Sequence, residues 1–185
     1  VVPLADEGEE IKEVYAHFGL AYYLAGVFET GLALSILKLD FLKQQRKQAE
    51  LRKGISFDRS IFNARYDEFL GQQHAQTLGN LIKRLGALID VPEGMQGVLS
   101  RAKQRRDFIA HHFFRERAES FQTRRGRKKM LEELQADQQL FEEADRELEK
   151  LLRPHEEAIG INKEKLQAYV DQYMASIENE EALDP

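Results

Sequence analysis

Residues 11–42, IKEVYAHFGLAYYLAGVFETGLALSILKLDFL, carry the longest regular pattern in the chain. Apolar residues recur there at alternating steps of three and four, which is the spacing of the buried face of a long α-helix. The members of this pattern are Ile11, Val14, Phe18, Ala21, Ala25, Phe28, Leu32, Leu39 and Leu42, with Ser35 in register. Tyr15, Tyr22 and Leu24 widen the apolar stripe, so we expect more than one neighbouring helix. The pattern predicts a first helix over about residues 6–52.

Residues 18–37 of this helix also raise the alternative of a membrane span, because their length is close to the ~20 residues that a span needs. However, Glu29 lies near the middle of the stretch, where a charge costs roughly 2.5–3.5 kcal/mol on insertion scales. Gly19, Gly26 and Gly31 weaken a spanning helix further. We therefore expect a buried core helix and no membrane contact.

Five more helices are predicted downstream, and no stretch alternates long enough with the period of two that a strand requires. Their predicted extents are residues 59–70, 78–89, 95 to beyond 112, 127–153 and 161–177. Gly94, Gly126 and Pro154 supply the boundaries of the fourth and fifth helices. The sequence thus predicts an all-α fold. A helical bundle of about four core helices spans residues 7–120, and a C-terminal helical extension that packs or dimerises spans residues 121–180.

The composition limits the class of protein. The chain has 185 residues, of which 42% are hydrophobic and 32% charged, as suits a globular helical domain. It has no cysteine, which excludes disulfides, thiolate metal sites and a thiol nucleophile. No spacing of His, Asp and Glu resembles a metal site, and no Gly-rich phosphate loop is found, so neither metal nor cofactor is expected. Residues 1–10 are acidic and unlike a signal peptide, and a cytoplasmic location is expected.

Positive charge is concentrated in residues 101–129. This segment contains eleven Lys and Arg against three Asp and Glu, a local net charge of +8 in a chain with a total of −5. Contact with a polyanion is therefore expected of this segment and not of the chain as a whole. The candidate RNA-binding residues are Arg115, Arg117, Arg124, Arg125, Arg127, Lys128 and Lys129. For residues 124–129 the alternative is a solvated turn between two helices, or a basic run that offsets the acidic residues 132–149.

Residues 105–112, RRDFIAHH, carry the most informative motif. They resemble the signature of the HEPN superfamily, in which an Arg and a polar residue precede a His by a few positions. Arg106, Asp107 and His111 fall on those places, and the resemblance extends from residue 10 to about residue 117. It implies a metal-independent endoribonuclease in which the motifs of two chains form one cleft across a two-fold axis. It also implies a homodimer, with a toxin or defence role and an antitoxin or regulatory protein as a further partner.

The chain departs from the family pattern at two positions. Asp107 stands where Asn is commoner, which adds a negative charge beside the anion-binding Arg. Phe113 stands where some toxin members carry a Tyr that a partner nucleotidyltransferase modifies. That form of regulation is therefore not expected here.

The residue types suit RNA cleavage because RNA carries its own nucleophile, the 2′-hydroxyl group. The imidazole of His111 can transfer a proton near neutral pH, and the guanidinium of Arg106 can stabilise the charge that builds up on phosphate. Residues five apart on a helix diverge by about 140°, so these two groups lie apart within one chain unless long side chains or a local distortion bring them together. A dimer relieves this, because the Arg of one chain can meet the His of the other. Arg105 and His112, seven apart, differ by only about 20° and compete for the catalytic role.

A non-catalytic interpretation stays open beside the enzymatic one. Arg105 and Arg106 can be ordinary ion-pair positions on a helix. The chain is then a helical module for dimerisation, RNA binding or protein interaction on the same fold. The aromatic residues near the motif, Phe113, Phe114 and Phe121, can stack on bases, although core positions are the commoner use of such spacing.

Overall fold

The computed structural model describes residues 4–42 and 77–158, with isolated positions at 44, 47, 64, 67, 68, 71, 72 and 171. These ranges form α-helices and one π-helical turn, and they contain no strand. The predicted all-α class is therefore confirmed. Apart from the isolated positions, the predicted helices at residues 59–70 and 161–177 lie outside the described residues.

Six α-helices make up the described part of the chain. They are α1 (Leu4–Ile36), α2 (Leu78–Leu88), α3 (Glu93–His111), α4 (Phe113–Glu116), α5 (Ala118–Phe121) and α6 (Arg124–Ala158). The π-helical turn Leu37–Leu42 continues α1. The predicted first helix therefore changes to wider winding at Leu37, a local change that the apolar spacing does not reveal.

Helices α1 and α6 lie side by side along almost their whole length and run in the same direction. Three polar contacts mark their alignment: Arg127 to Glu10 (3.0 Å), Gln138 to His17 (3.0 Å) and Lys38 to Glu156 (2.8 Å). Between these contacts α6 buries its own heptad positions, Met130, Leu134, Phe141, Ala144, Leu148 and Leu152, in the same core as α1. The sequence predicts a boundary between a helical bundle and a C-terminal extension at residues 120 and 121. The helices on the two sides of this boundary share one hydrophobic core.

Helix α3 packs on both long helices and runs antiparallel to them. Its Arg106 meets Glu29 of α1, while Phe113, just beyond its end, meets Phe18 nearer the start of α1. Helix α2 begins where the side chain of Thr77 accepts a hydrogen bond from the backbone of Asn80, and it packs against α1, with Arg84 donating to Asp40 in the π-helical turn. Its extent agrees with the predicted third helix.

Two predicted helix ends differ from the structure. Helix α3 ends at His111 and does not run beyond His112. Helix α6 continues through Pro154 to Ala158. A proline removes only one backbone hydrogen bond, and the last turn is held by the ion pair of Glu156 with Lys38 and by burial of Leu152.

In the described part of the chain, neither long neighbour of α1, α3 or α6, covers its outward face, which only the short helices α4 and α5 border, at Tyr15. Five large apolar side chains on it are exposed: Tyr15, Leu20, Tyr22, Tyr23 and Val27. Residues Gly8–Asp40 are long and apolar enough to cross a membrane, but core helices of soluble proteins and signal sequences pass the same test. The opposite face of the helix packs in the core described above.

Candidate active site

The motif lies at the C-terminal end of α3, where the helix breaks. His112 leaves helical geometry (φ −129°, ψ −26°), and the chain then turns into the short helix α4. The break directs Phe113 into the core, where it is 1% exposed and its ring centroid lies 5.6 Å from that of Phe18 and 6.0 Å from that of Phe108. Phe113 therefore acts as the anchor that ends α3 and fixes the position of the two histidines.

Arg106 faces α1 and is held by carboxylates. Its guanidinium donates two hydrogen bonds to Glu29, at 2.7 and 3.2 Å, and one to Asp107 at 3.1 Å. Asp107 also accepts from Lys103 at 2.7 Å. Burial alone would raise the pKa of Asp107, but the hydrogen bonds from Lys103 and Arg106 outweigh it and lower that pKa. Asp107 is therefore ionised near neutral pH, and the guanidinium lies between two negative charges.

Arg105 points the other way, towards α6. It donates to both oxygens of Asp137, at 2.6 and 2.7 Å, and to Glu133 at 2.9 Å. Arg117 donates to the same Glu133 at 2.8 and 2.9 Å. The guanidinium carbons of Arg105 and Arg117 lie 4.6 and 5.0 Å from the ring centroid of Phe108. This network joins α3, the turn after α4, and α6 through charge-assisted and cation–π contacts.

The two predicted Arg/His pairs are not brought together within one chain. Arg106 turns towards Glu29, whereas His111 is exposed to solvent at the end of α3. Arg105 turns towards Asp137, and His112 lies outside the helix, so the helical spacing that was expected to align them does not apply. The divergence of Arg106 and His111 is the one expected from the 100° step of an α-helix.

The structure instead places His112 between its neighbour His111 and the side chain of Arg115. The ring centroids of His111 and His112 lie 6.2 Å apart, and Nδ1 of His112 lies 2.6 Å from a terminal nitrogen of Arg115. A guanidinium can only donate, so Nδ1 is the acceptor and neutral His112 carries its proton on Nε2. The side chain of Arg115 is 71% exposed. We call this group of three residues the helix-break cluster.

The candidate RNA-binding residues divide into two groups. The prediction that Arg127 contacts RNA at the surface is wrong, because its side chain is 5% exposed. This side chain donates to Glu10 and to the carbonyl oxygen of Phe121. Arg117 is likewise committed to Glu133. The side chains that stay on the surface are those of Arg115, Arg124, Arg125, Lys128 and Lys129, with Arg124 also paired to Glu10.

Phe113, Phe114 and Phe121 are core residues and not an open stacking platform. Phe113 is buried, and Phe114 and Phe121 are partly buried against the core. The ring centroid of Tyr15 lies 5.5 Å from that of Phe114 and 5.7 Å from that of Phe121. These contacts attach α4 and α5 to the first helix.

Three carboxylates that control the arginines were not among the predicted site residues. Glu29 holds Arg106, while Glu133 and Asp137 hold Arg105. Two of them left a signal in the sequence: Glu29 is the lone formal charge of residues 18–37, and Asp137 lies on the apolar seam of α6. A carboxylate in such a position needs a buried cationic partner.

Comparison with known proteins adds no further information about this site. No family model, curated protein or solved structure matches the chain. Among residues 8–40 and 77–158, no group of three or more His, Asp or Glu side chains is arranged to hold a metal ion.

Proposed function

We propose that the chain is a metal-independent endoribonuclease of HEPN type that acts as a homodimer. The observation that carries this proposal is the position of His111, an imidazole exposed to solvent at the end of α3, next to His112, which itself contacts Arg115. The motif residues lie on one helix of an all-α bundle, as the resemblance implies. A toxin or defence role, a regulatory partner protein and a cytoplasmic location stay predictions that accompany this proposal.

The chemistry asks little of the protein beyond proton transfer and charge stabilisation. A base removes the proton of the 2′-hydroxyl group, the 2′-oxygen attacks the adjacent phosphorus, and an acid protonates the departing 5′-oxygen. Imidazole groups can serve both steps near neutral pH. Guanidinium groups supply hydrogen-bond donors to the phosphate oxygens as negative charge develops.

A homodimer has a suitable surface on the outward face of α1. Tyr15, Tyr22 and Tyr23 are 53%, 55% and 65% exposed. With about 200 Å² for a whole tyrosine, the three expose roughly 350 Å² per chain. Two copies therefore contribute about 700 Å² from tyrosine alone, and Leu20 and Val27 add to it. A specific interface buries about 1,000 Å² or more in total.

That surface adjoins the motif, because Tyr15 packs on Phe114, two residues after His112. No unpaired charge from Arg106, Glu29 or His17 interrupts the outward face of α1. Glu29 bonds to Arg106, and His17 lies against Gln138 of α6. A second copy on this face buries an apolar patch that is otherwise open to water.

A non-catalytic helical module is the second candidate function. It is favoured by the ion pairs of Arg105 and Arg106, which have the form of structural contacts between helices. Arg106 nevertheless keeps a side chain that is 28% exposed. The two functions differ in whether RNA is cut, because the module dimerises, binds RNA or binds another protein without cleavage.

The test is incubation of purified protein with RNA in EDTA, followed by analysis of the RNA ends. The wild type should produce 2′,3′-cyclic phosphate and 5′-hydroxyl ends, and His111→Ala should lower the rate by about 100-fold or more. Arg146→Ala is the matched control, because it removes an exposed cation of α6 far from the motif along the chain. Binding without cleavage by the wild type favours the module, and cleavage that EDTA abolishes contradicts the metal-independent mechanism.

RNA affinity gives a second readout that both candidate functions share if RNA is the ligand. Each phosphate contact made by a surface cation contributes about −0.7 to the slope of log K against log salt for a single strand. Lys128→Ala with Lys129→Ala should therefore reduce the slope by up to about 1.4. An affinity that is independent of salt removes the basic surface of α6 from the proposal.

A further inference from the structure

Arg106 and His111 point away from each other within one chain. Arg106 is held by Glu29 and Asp107 on the α1 side of α3, whereas His111 faces solvent. We propose that His111, His112 and Arg115, the helix-break cluster, form the cleaving group within a single chain. This inference rests on the proposed function, and it differs from a cleft in which Arg106 of one chain serves His111 of another.

The spacing of the two imidazoles fits a pair of proton-transfer groups. Their centroids are 6.2 Å apart and the ring planes are inclined by 75°. A phosphodiester in front of both rings can bring a different oxygen within about 3 Å of each ring, which is the reach that proton transfer requires. One ring then serves the 2′-oxygen and the other the 5′-oxygen.

Arg115 is a better phosphate ligand than Arg106 in this chain. Its terminal nitrogen contacts His112 at 2.6 Å, and its nearest carboxylate contact is with Glu116 at 3.9 Å. Arg106, by comparison, already gives three hydrogen bonds to carboxylates. The exposed guanidinium of Arg115 can therefore turn its donors to a phosphate without breaking an ion pair that holds two helices together.

The contact with Arg115 assigns the two histidines different roles. Arg115 donates to Nδ1 of His112, so the free protein holds this nitrogen unprotonated, as a base requires. When Arg115 moves to the phosphate, Nδ1 is released and takes the proton of the 2′-hydroxyl group while the new oxygen–phosphorus bond forms. Protonated His111 gives its proton to the 5′-oxygen as the old bond breaks. His112 gains one proton and His111 loses one, so the number of protons is conserved in this step.

The first experiment compares His112→Asn, Arg115→Gln and Arg106→Ala in the cleavage assay, with Arg146→Ala as the control. Circular dichroism checks that each variant is folded. We expect His112→Asn and Arg115→Gln each to lower kcat by about 100-fold. Because Arg115 is largely exposed, Arg115→Gln keeps the test valid even if His112→Asn disturbs the helix break.

The second experiment mixes two inactive variants. If His111 and Arg115 act within one chain, a mixture of His111→Ala and Arg115→Gln stays inactive, because no chain carries the whole cluster. Recovery of activity on mixing overturns the single-chain site. The site is also overturned if Arg115→Gln cleaves at the wild-type rate while folded Arg106→Ala loses activity. Both of these results leave the ribonuclease function standing. Absence of cleavage by the wild type removes the function and this inference together.

Discussion

Replacement of Gly126 by Ala tests whether the break after α3 is held as the structure describes. Gly126 lies in the first turn of α6, where α5 crosses it closely. A Cβ atom at this position overlaps the carbonyl oxygen of Ser120 and comes within 2.6 Å of two further backbone atoms of that residue. Backbone cannot rotate away as a side chain can, so α5 and α6 must separate.

The size of the effect follows from two opposed terms. A Gly to Ala change inside a helix normally stabilises by about 0.5–1 kcal/mol. The overlap with Ser120 costs more, because overpacking a close contact costs about 1–3 kcal/mol even where side chains can adjust. Separation also strains the hydrogen bond from Arg127 to the carbonyl oxygen of Phe121, which is 3.1 Å long. We expect a net loss of about 3 kcal/mol in the free energy of unfolding.

Thermal unfolding followed by circular dichroism measures this loss. For a chain of this size, a change of 1 kcal/mol moves Tm by about 2–4 °C, so Gly126→Ala should lower Tm by about 6–12 °C. Gly97→Ala in α3 is the matched control, since nothing lies within 4 Å of its new Cβ atom. It should raise Tm by about 2–4 °C. A Gly126→Ala protein as stable as the wild type refutes the close packing of α5 on α6.

Three further predictions concern the ion pairs and the outward face of α1. Asp137→Asn should lower the free energy of unfolding by about 1.5–3 kcal/mol, because the side chain is 5% exposed and Arg105 loses one of its two hydrogen bonds to it. The loss stays below that of an isolated buried ion pair, because burial raises the pKa of Asp137 and Arg105 keeps its bond to Glu133. Glu142→Gln, an exposed change on the same helix, should leave the free energy of unfolding within about 0.5 kcal/mol in urea titrations. Equal values for both variants count against the network. Burial alone would raise the pKa of Glu133, but hydrogen bonds from Arg117 and Arg105 outweigh it and lower that pKa. The stability that Glu133 contributes is therefore fully present above about pH 4.3 and is lost as the pH falls through the lowered pKa. Denaturant titrations should show a steeper acid loss in the wild type than in Glu133→Gln, and parallel curves would be inconsistent with the pairing. Tyr23→Glu should shift the sedimentation of a dimer to that of a monomer, and a dimer that survives it does not use this face of α1.

The course of the helices could be predicted wherever apolar spacing and end signals agree. The predicted helix over residues 78–89 matches α2, because Thr77 caps its start and Pro92 follows its end. The end of α3 could not be predicted from local signals. It depends on Phe113 entering a cluster with Phe18, which is distant in the sequence.

Pro154 shows the opposite error, in which a local signal was given too much weight. Proline disfavours a helix interior by about 3 kcal/mol. Here the loss falls near the end of α6, where Leu152 is buried and Glu156 binds Lys38 of α1. Contacts with another helix decide the outcome, and residues more than a hundred positions apart are involved.

The candidate site at the end of α3 stays a prediction from the sequence, and its internal contacts could not be predicted. The motif and the positive charge of residues 101–129 predict a site near the end of α3. The partners of Arg106 and Arg105, which are Glu29 and Asp137, lie 77 and 32 positions away. Pairing at such distances depends on how the helices pack, and helical spacing within α3 carries no information about it.

The most direct test of an RNA-cleaving function is the chemistry of the RNA ends. Wild-type protein incubated with RNA in EDTA should leave a 2′,3′-cyclic phosphate on one fragment and a 5′-hydroxyl group on the other, and His111→Ala should cut the RNA about 100-fold or more slowly. RNA that stays uncut with the wild type, or that is cut equally by His111→Ala, contradicts a function based on the imidazole at the end of α3.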